Sequence, residues 1–218
     1  MTGMTWDEVQ AAVGAAVHNG KLAGNTVFPH ITTDTRKISS GDLFVALRGE
    51  KFDGADFAAE ALERGAAAVI VGTPLSTSAE KALKKAKGTV LKAEDGLRAY
   101  QAIAHAWRMK YDIPVIAITG SNGKTTTKEL TAAVLSARGK VCRTAENYNN
   151  EVGLPLTLLG IVPEDFAAVV EIGMRGLGQI AALAPVAAPT APPTQTIRHP
   201  LALLLASQKA RYWPPDSA

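Results

Sequence analysis

Val115–Leu130 reads VIAITGSNGKTTTKEL: a short apolar run, a Gly-Ser-Asn-Gly turn, a lysine at its tip, then residues that open a helix. A strand that ends in Gly120-Ser121-Asn122-Gly123 and gives way to a helix at Lys124-Thr125-Thr126 has the makings of a phosphate cradle. Glycines let backbone N–H groups converge on an anion, and the helix N-terminus adds partial positive charge. Lys124 would meet terminal phosphates as a point charge, and the Thr125 hydroxyl would reach a Mg²⁺ ion. The spacing departs from G-x-x-x-x-G-K-[ST], since Ile118 stands where that pattern has its first glycine. The alternative is a turn whose glycines only permit tight strand-to-helix packing, with Lys124 in solvent.

Working outward from this stretch, the pattern alternates. A strand at 115–119 leads to a helix at 124–138 with Leu130, Val134 and Ala137 as its apolar positions. A strand at 140–144, an Asn-rich loop, a helix from Pro155 and a strand at 167–172 follow. Strands without polar alternation, separated by helices, imply a parallel sheet covered on both faces. Upstream, Thr5-x-x-Glu8 has capping-box spacing, and Trp6, Val9, Val13 and Val17 predict a helix ending near Asn19-Gly20. Short strands are expected at Ile31–Thr33, Leu43–Leu47 and Ala68–Val71, with a helix from Phe57 to Arg64 stopped by Gly65. Leu97, Tyr100, Ala104 and Trp107 share one face of a further helix.

These elements predict an α/β fold: a small N-terminal α/β domain at 1–92, a connecting helix at 93–112, and an incomplete P-loop parallel-sheet domain at 113–189. Residues 190–218 are expected to be an irregular tail, because the proline-rich APTAPPTQTIRHP cannot serve as a central strand.

Hydrophobic residues make up 47% of the 218 and charged residues 20%, enough apolar material for a buried core. Net charge is +3 with the basic residues scattered, which argues against a nucleic-acid footprint and suits small anionic substrates. Cys142 is the only cysteine, so no intrachain disulfide can form. No apolar run approaches a membrane span and the N-terminus lacks a signal-peptide core, so a cytoplasmic location is expected; a monomer is expected as well.

Taken together, TGSNGKTTTKE (119–129), ENYNNEVGLPLTLL (146–159), VVEIGMRGLGQIAALA (169–184) and TDTRKISSGDLFVALRGEKFDGADF (33–57) resemble four blocks of the Mur ligase family, in the same order. The family comprises ATP-dependent amide-forming ligases of peptidoglycan synthesis, and the likeness covers roughly 5–189. It implies ATP and Mg²⁺ as cofactors. Gly120, Ser121, Asn122, Gly123, Lys124, Thr125 and Thr126 would bind ATP; Lys124 and Glu171 would be catalytic; Thr125 and Glu171 would hold the metal. The Asn block resembles members that join D-alanyl-D-alanine to UDP-N-acetylmuramoyl-tripeptide, so these are the implied partners. Asn147, Asn149, Asn150 and Glu151 would line the acceptor site, or else serve only as loop formers. Thr35, Arg36 and Arg48 would meet the UDP-sugar, Arg being suited to a phosphate fork; Arg36 as a mere surface charge is the alternative.

Two departures from the family pattern stand out. Ala55 occupies a position where the family often carries His after Asp-Gly. The family also continues with a metal-binding His and a carbamylated Lys, but the residues around His199 and Lys209 do not match, and neither role is transferred. A frame change or truncation between Pro189 and Thr196 is the expected origin of the tail. On that expectation the isolated chain is inactive or nearly so. Two alternatives are a non-catalytic UDP-muramoyl-peptide-binding fragment and a ligase of the folylpolyglutamate type. The Asp-Thr-Arg block argues against the second.

Overall fold

The computed structural model describes residues 3–174, 176–190 and the backbone of 194–196. Two compact units divide the chain, Met1–Ala106 and Trp107–Ala218.

The first unit begins with β1 (Met4–Thr5) and α1 (Trp6–Val13). The capping box forms as its spacing predicts: Glu8 N–H donates to Thr5 Oγ1 at 3.3 Å, and Thr5 N–H to Glu8 Oε2 at 2.8 Å. Trp6 and Val9 are buried, and the Trp6 ring meets Phe28 edge-on. The helix is shorter than expected. Gly14 adopts the left-handed conformation (φ 63°) that ends it, and β2 (Ala16–Asn19) takes up Val17. Next come β3 (Val27–Phe28), antiparallel to β1, then β4 (Ile31–Thr32), β5 (Leu43–Val45) and α2 (Ala58–Glu63). After them run β6 (Ala68–Gly72), α3 (Thr77–Lys85), β7 (Thr89–Ala93) and α4 (Gly96–Met109).

The main sheet of this unit has the order β2-β7-β6-β5-β4, parallel except for β2. Val69 and Val71 from β6 and Val90 from β7 pack on Ala58, Ala61, Leu62 and Leu83 from α2 and α3. Each fully buried Val or Leu there is worth about 1.5–3 kcal/mol relative to exposure. Ala58 and Ala61 are small enough for α2 to pack directly on these strand residues.

The second unit holds β8 (Val115–Gly120), α5 (Lys124–Ser136), β9 (Lys140–Arg143), α6 (Gly153–Leu159), β10 (Asp165–Glu171), α7 (Gln179–Ala187) and β11 (Thr194–Thr196). Its sheet is parallel throughout, in the order β11-β8-β10-β9, with Val169 level with Ile116 and Glu171 level with Ile118. Trp107, in the last turn of α4, donates from Nε1 to Ile161 O at 3.0 Å. The buried Arg108 guanidinium caps the end of α7, donating to the carbonyls of Ala187 and Ala188 and to that of Tyr111. A cation suits that negative helix end.

Two expectations are corrected here. The stretch 190–218 is not irregular throughout: Thr194–Thr196 adds an edge strand beside β8. An edge position is open to a proline-flanked segment because one side of it needs no ladder bonds. The apolar face assigned to α5 is also wrong, since Leu130 and Val134 are 58% and 73% exposed, while Lys128, Thr131 and Ala132 face inward.

Candidate functional site

The turn after β8 takes its shape from two glycines with positive φ, Gly120 at 142° and Gly123 at 74°. A side chain at Gly123 would be strained in this left-handed conformation, and Gly123 is the residue that admits the chain into α5. Ser121 and Asn122 are exposed at the tip. Lys124 folds back over the turn, its Nζ donating to Gly120 O at 2.7 Å. Thr126 is exposed.

Glu171 closes β10 at the carboxyl edge of the sheet, and open α/β sheets gather ligands at that edge. It is buried, at 2% exposure, and both carboxylate oxygens are engaged. Thr125 Oγ1 donates to Oε2 at 3.1 Å and Asn149 Nδ2 to Oε1 at 2.8 Å. Its own N–H donates to Thr144 Oγ1 at 2.9 Å. Thr125, Asn149 and Glu171, distant in sequence, therefore meet at one point beside Lys124.

The remaining Asn-block residues do other work. Asn150 Oδ1 accepts from the N–H groups of Val152 and Gly153, holding the entry to α6. Glu151 accepts from Gln179 Nε2 at 3.2 Å, and Asn147 is exposed. Gly173 is needed by Asn149: a Cβ at 173 would lie 2.9 Å from Asn149 Oδ1 and 3.1 Å from its carbonyl oxygen. Thr144 and Lys128, which brace this corner, escaped sequence reasoning. The available signal was the three-residue spacing of Thr125 and Lys128, which puts both on one helix face.

In the first unit, Thr35 and Arg36 lie in a 3-10 turn, Thr35–Lys37. Both Arg36 Nε and Nη2 donate to Asp34 at 2.8 Å. Those bonds hold the Asp34 carboxyl down to about 2. Arg48 is likewise engaged, by Nε to Asp53 Oδ2 and by Nη2 to Pro74 O, both at 2.8 Å. It lines a cavity of about 270 Å³ at the strand ends together with Asp53, Thr73, Glu94 and Asp95; Thr35 and Arg36 do not line it. Neither arginine presents a free fork to a phosphate in this conformation. Ala55 is buried behind Asp53, which accepts its N–H at 3.0 Å. His199 and Lys209 lie outside the described residues.

A parallel sheet whose first strand runs through a glycine turn into a helix, with a buried acid ending the neighbouring strand, defines a P-loop type of α/β unit. Comparison with known proteins narrows this. Residues 28–108 match the model "Mur ligase family, catalytic domain", and residues 118–192 match "Mur ligase middle domain". The chain belongs to the Mur ligase family. It is 53% identical over 161 residues to the UDP-N-acetylmuramoyl-tripeptide–D-alanyl-D-alanine ligase of Synechocystis, covering 74% of this chain and 34% of that protein. The Escherichia coli ligase of the same name is 43% identical, over 75% and 34%. Among solved structures, MurF from Acinetobacter baumannii superposes with a TM-score of 0.77 at 31% identity, over 87% of this chain and 40% of that one. A MurF ligase from Thermotoga maritima in complex with ADP gives 0.62 at 32%, over 72% and 35%. The chain thus spans about a third of the length of the curated relatives it matches.

Proposed function

We propose that the second unit binds ATP and that the chain carries the nucleotide and UDP-peptide portions of a ligase. That ligase joins D-alanyl-D-alanine to UDP-N-acetylmuramoyl-tripeptide through an acyl phosphate. The observation that carries the reading is the convergence of Thr125 and Asn149 on buried Glu171, beside Lys124, at the carboxyl edge of a parallel sheet. The ADP-bound relative from Thermotoga maritima supports the nucleotide.

On this reading, the amides from Gly120 to Thr126 surround the phosphates and Lys124 exchanges Gly120 O for a phosphate oxygen. A charged acceptor makes the stronger hydrogen bond. Mg²⁺ suits the residues present, because a hydroxyl and a carboxylate are hard oxygen donors and Mg²⁺ takes few protein ligands beside phosphates and water. Thr125 and Glu171 would hold it, and when bound it offsets negative charge as a carboxylate approaches the phosphoryl group. Asn149 keeps Glu171 turned toward Thr125. Among the described residues no cluster of three or more His, Cys, Asp or Glu side chains is arranged as a metal site, which fits an ion held partly by the nucleotide. Arg48 at its cavity is the first-unit residue best placed to meet the UDP-peptide, after giving up Asp53 or Pro74.

The test is equilibrium binding of ADP, and separately of UDP-N-acetylmuramoyl-tripeptide, to the folded 218-residue chain, followed by phosphate release with both substrates and Mg-ATP. Binding of both ligands is expected, with little or no turnover by this polypeptide on its own. A folded chain that binds neither ligand overturns the reading.

A further inference from the structure

Lys128 has a position that the nucleotide-binding turn does not require. It lies one helical turn beyond Lys124 and is buried, at 1% exposure. Burying an ammonium group is costly unless its bonds are replaced, and an apolar side chain of similar length would pack there without that cost. Its Nζ donates to Thr144 O at 2.7 Å and sits 3.1 Å from Glu129 Oε1. Arg143 shares Glu129, at 3.4 Å.

Thr144 is fully buried and is held in three ways. Its N–H donates to Val169 O at 3.1 Å, its carbonyl accepts from Lys128, and its Oγ1 accepts the Glu171 N–H at 2.9 Å. Thr144 directly follows β9, and Glu171 is the last residue of β10. The seam between these strands is thus continued by a side chain past the end of the regular ladder. α5 reaches Glu171 twice, directly from Thr125 and indirectly from Lys128 by way of Thr144. Without the ammonium, the Thr144 carbonyl is left buried and unpaired, which is costly; relieving that cost requires the Cα of residue 144 to shift, and a shift there moves Oγ1 off the Glu171 N–H.

We propose that Lys128 is a positioning residue for Glu171, acting through Thr144. It sets where the carboxylate is presented to the metal, so its loss uncouples Mg²⁺ from nucleotide affinity without emptying the phosphate loop. This rests on the nucleotide reading above.

The test uses the whole chain and the variants Lys128→Met, Thr144→Val and Thr144→Ser. ADP affinity is measured in EDTA and in Mg²⁺, and amide exchange at Glu171 is measured with neither metal nor nucleotide. In Lys128→Met and Thr144→Val, ADP affinity in EDTA should stay within about twofold of wild type. The gain from Mg²⁺ should shrink about tenfold, as when a residue behind a metal ligand is lost. The Glu171 amide should exchange about tenfold faster while Val169 and Val170 hold their rates. Thr144→Ser, which keeps the hydroxyl, should behave as wild type. A folded Lys128→Met chain with an unchanged Mg²⁺ gain and unchanged Glu171 exchange overturns the proposal. If that variant does not fold, the Val and Ser variants decide, and equal Mg²⁺ gains in both overturn it. A folded wild type that fails to bind ADP removes the nucleotide reading instead, and the exchange rates still judge the link from Lys128 to Glu171.

Discussion

Lys124→Met is the perturbation whose size the structure bounds best. In the free chain Lys124 already has a partner, Gly120 O at 2.7 Å. The ammonium's bond to a carbonyl has one charged partner and lies at the low end of the range for charge-assisted bonds, about 1.5 kcal/mol net, whereas its bond to a phosphate has two and lies at the high end, about 3 kcal/mol. The substitution removes the first from the free state and the second from the bound state. The difference is about 1–2 kcal/mol, which weakens ADP binding roughly fivefold to thirtyfold. Methionine keeps most of the stem's volume, so the fold should stand. The assay is isothermal titration with ADP on both chains, with urea midpoints to show that both are folded. Equal affinities in two folded chains would refute the assignment of Lys124 to the phosphates. A loss beyond about a thousandfold would refute the exchange from Gly120, because no carbonyl bond would then be offsetting the phosphate bond.

Gly173→Ala should push Asn149 off Glu171 through the contacts at 2.9 and 3.1 Å, destabilising the chain by about 1–3 kcal/mol in urea titration; an unchanged midpoint would show that the loop yields freely. Asp34 should titrate at about 2 by NMR because Arg36 bonds to its carboxylate. Arg36→Met should raise it toward the ordinary value of 3.8 but not all the way, because the residue-36 N–H still donates to Asp34 Oδ1. Since the folded pKa lies below the unfolded one, the Asp34–Arg36 link contributes stability above about pH 4 and loses it as pH falls toward 2. Burial, aided by Asp165, pushes the Cys142 thiol up to about 12. A thiol reagent at pH 8 should therefore label Cys142 far more slowly than a free thiol, and rapid labelling of the folded chain would count against this.

What the sequence disclosed divides by the range of the interactions involved. The glycine turn between β8 and α5 was legible because an apolar run leading through glycines into a helix start is a local signal, and the place of Glu171 at a strand end because the run before it is apolar. The end of α1 at Gly14 was missed, since the spacing of Val13 and Val17 suits a helix even though the first glycine stops it. The face of α5 was misread for a different reason. Lysine and threonine count as solvent-facing by composition, yet Lys128 turns inward to a carbonyl sixteen residues away. Arg36 and Arg48 looked free because the aspartates they pair with, Asp34 and Asp53, are themselves part of the motif that drew attention to them. Asn149 was correctly placed with its neighbours in one loop, but only the fold separates it, bound to Glu171, from Asn150, bound to the backbone ahead of α6.

The bond from Lys124 to Gly120 also sets a threshold. An anion entering the turn must outcompete a carbonyl that is already seated 2.7 Å from the ammonium. If the turn holds phosphates as proposed, a monoanion such as acetate or bicarbonate would gain less from displacing it than a polyphosphate, which brings more charged oxygens. On the proposed reading, a turn fastened by its own lysine would screen anions by charge density before any part of the base or sugar is recognised.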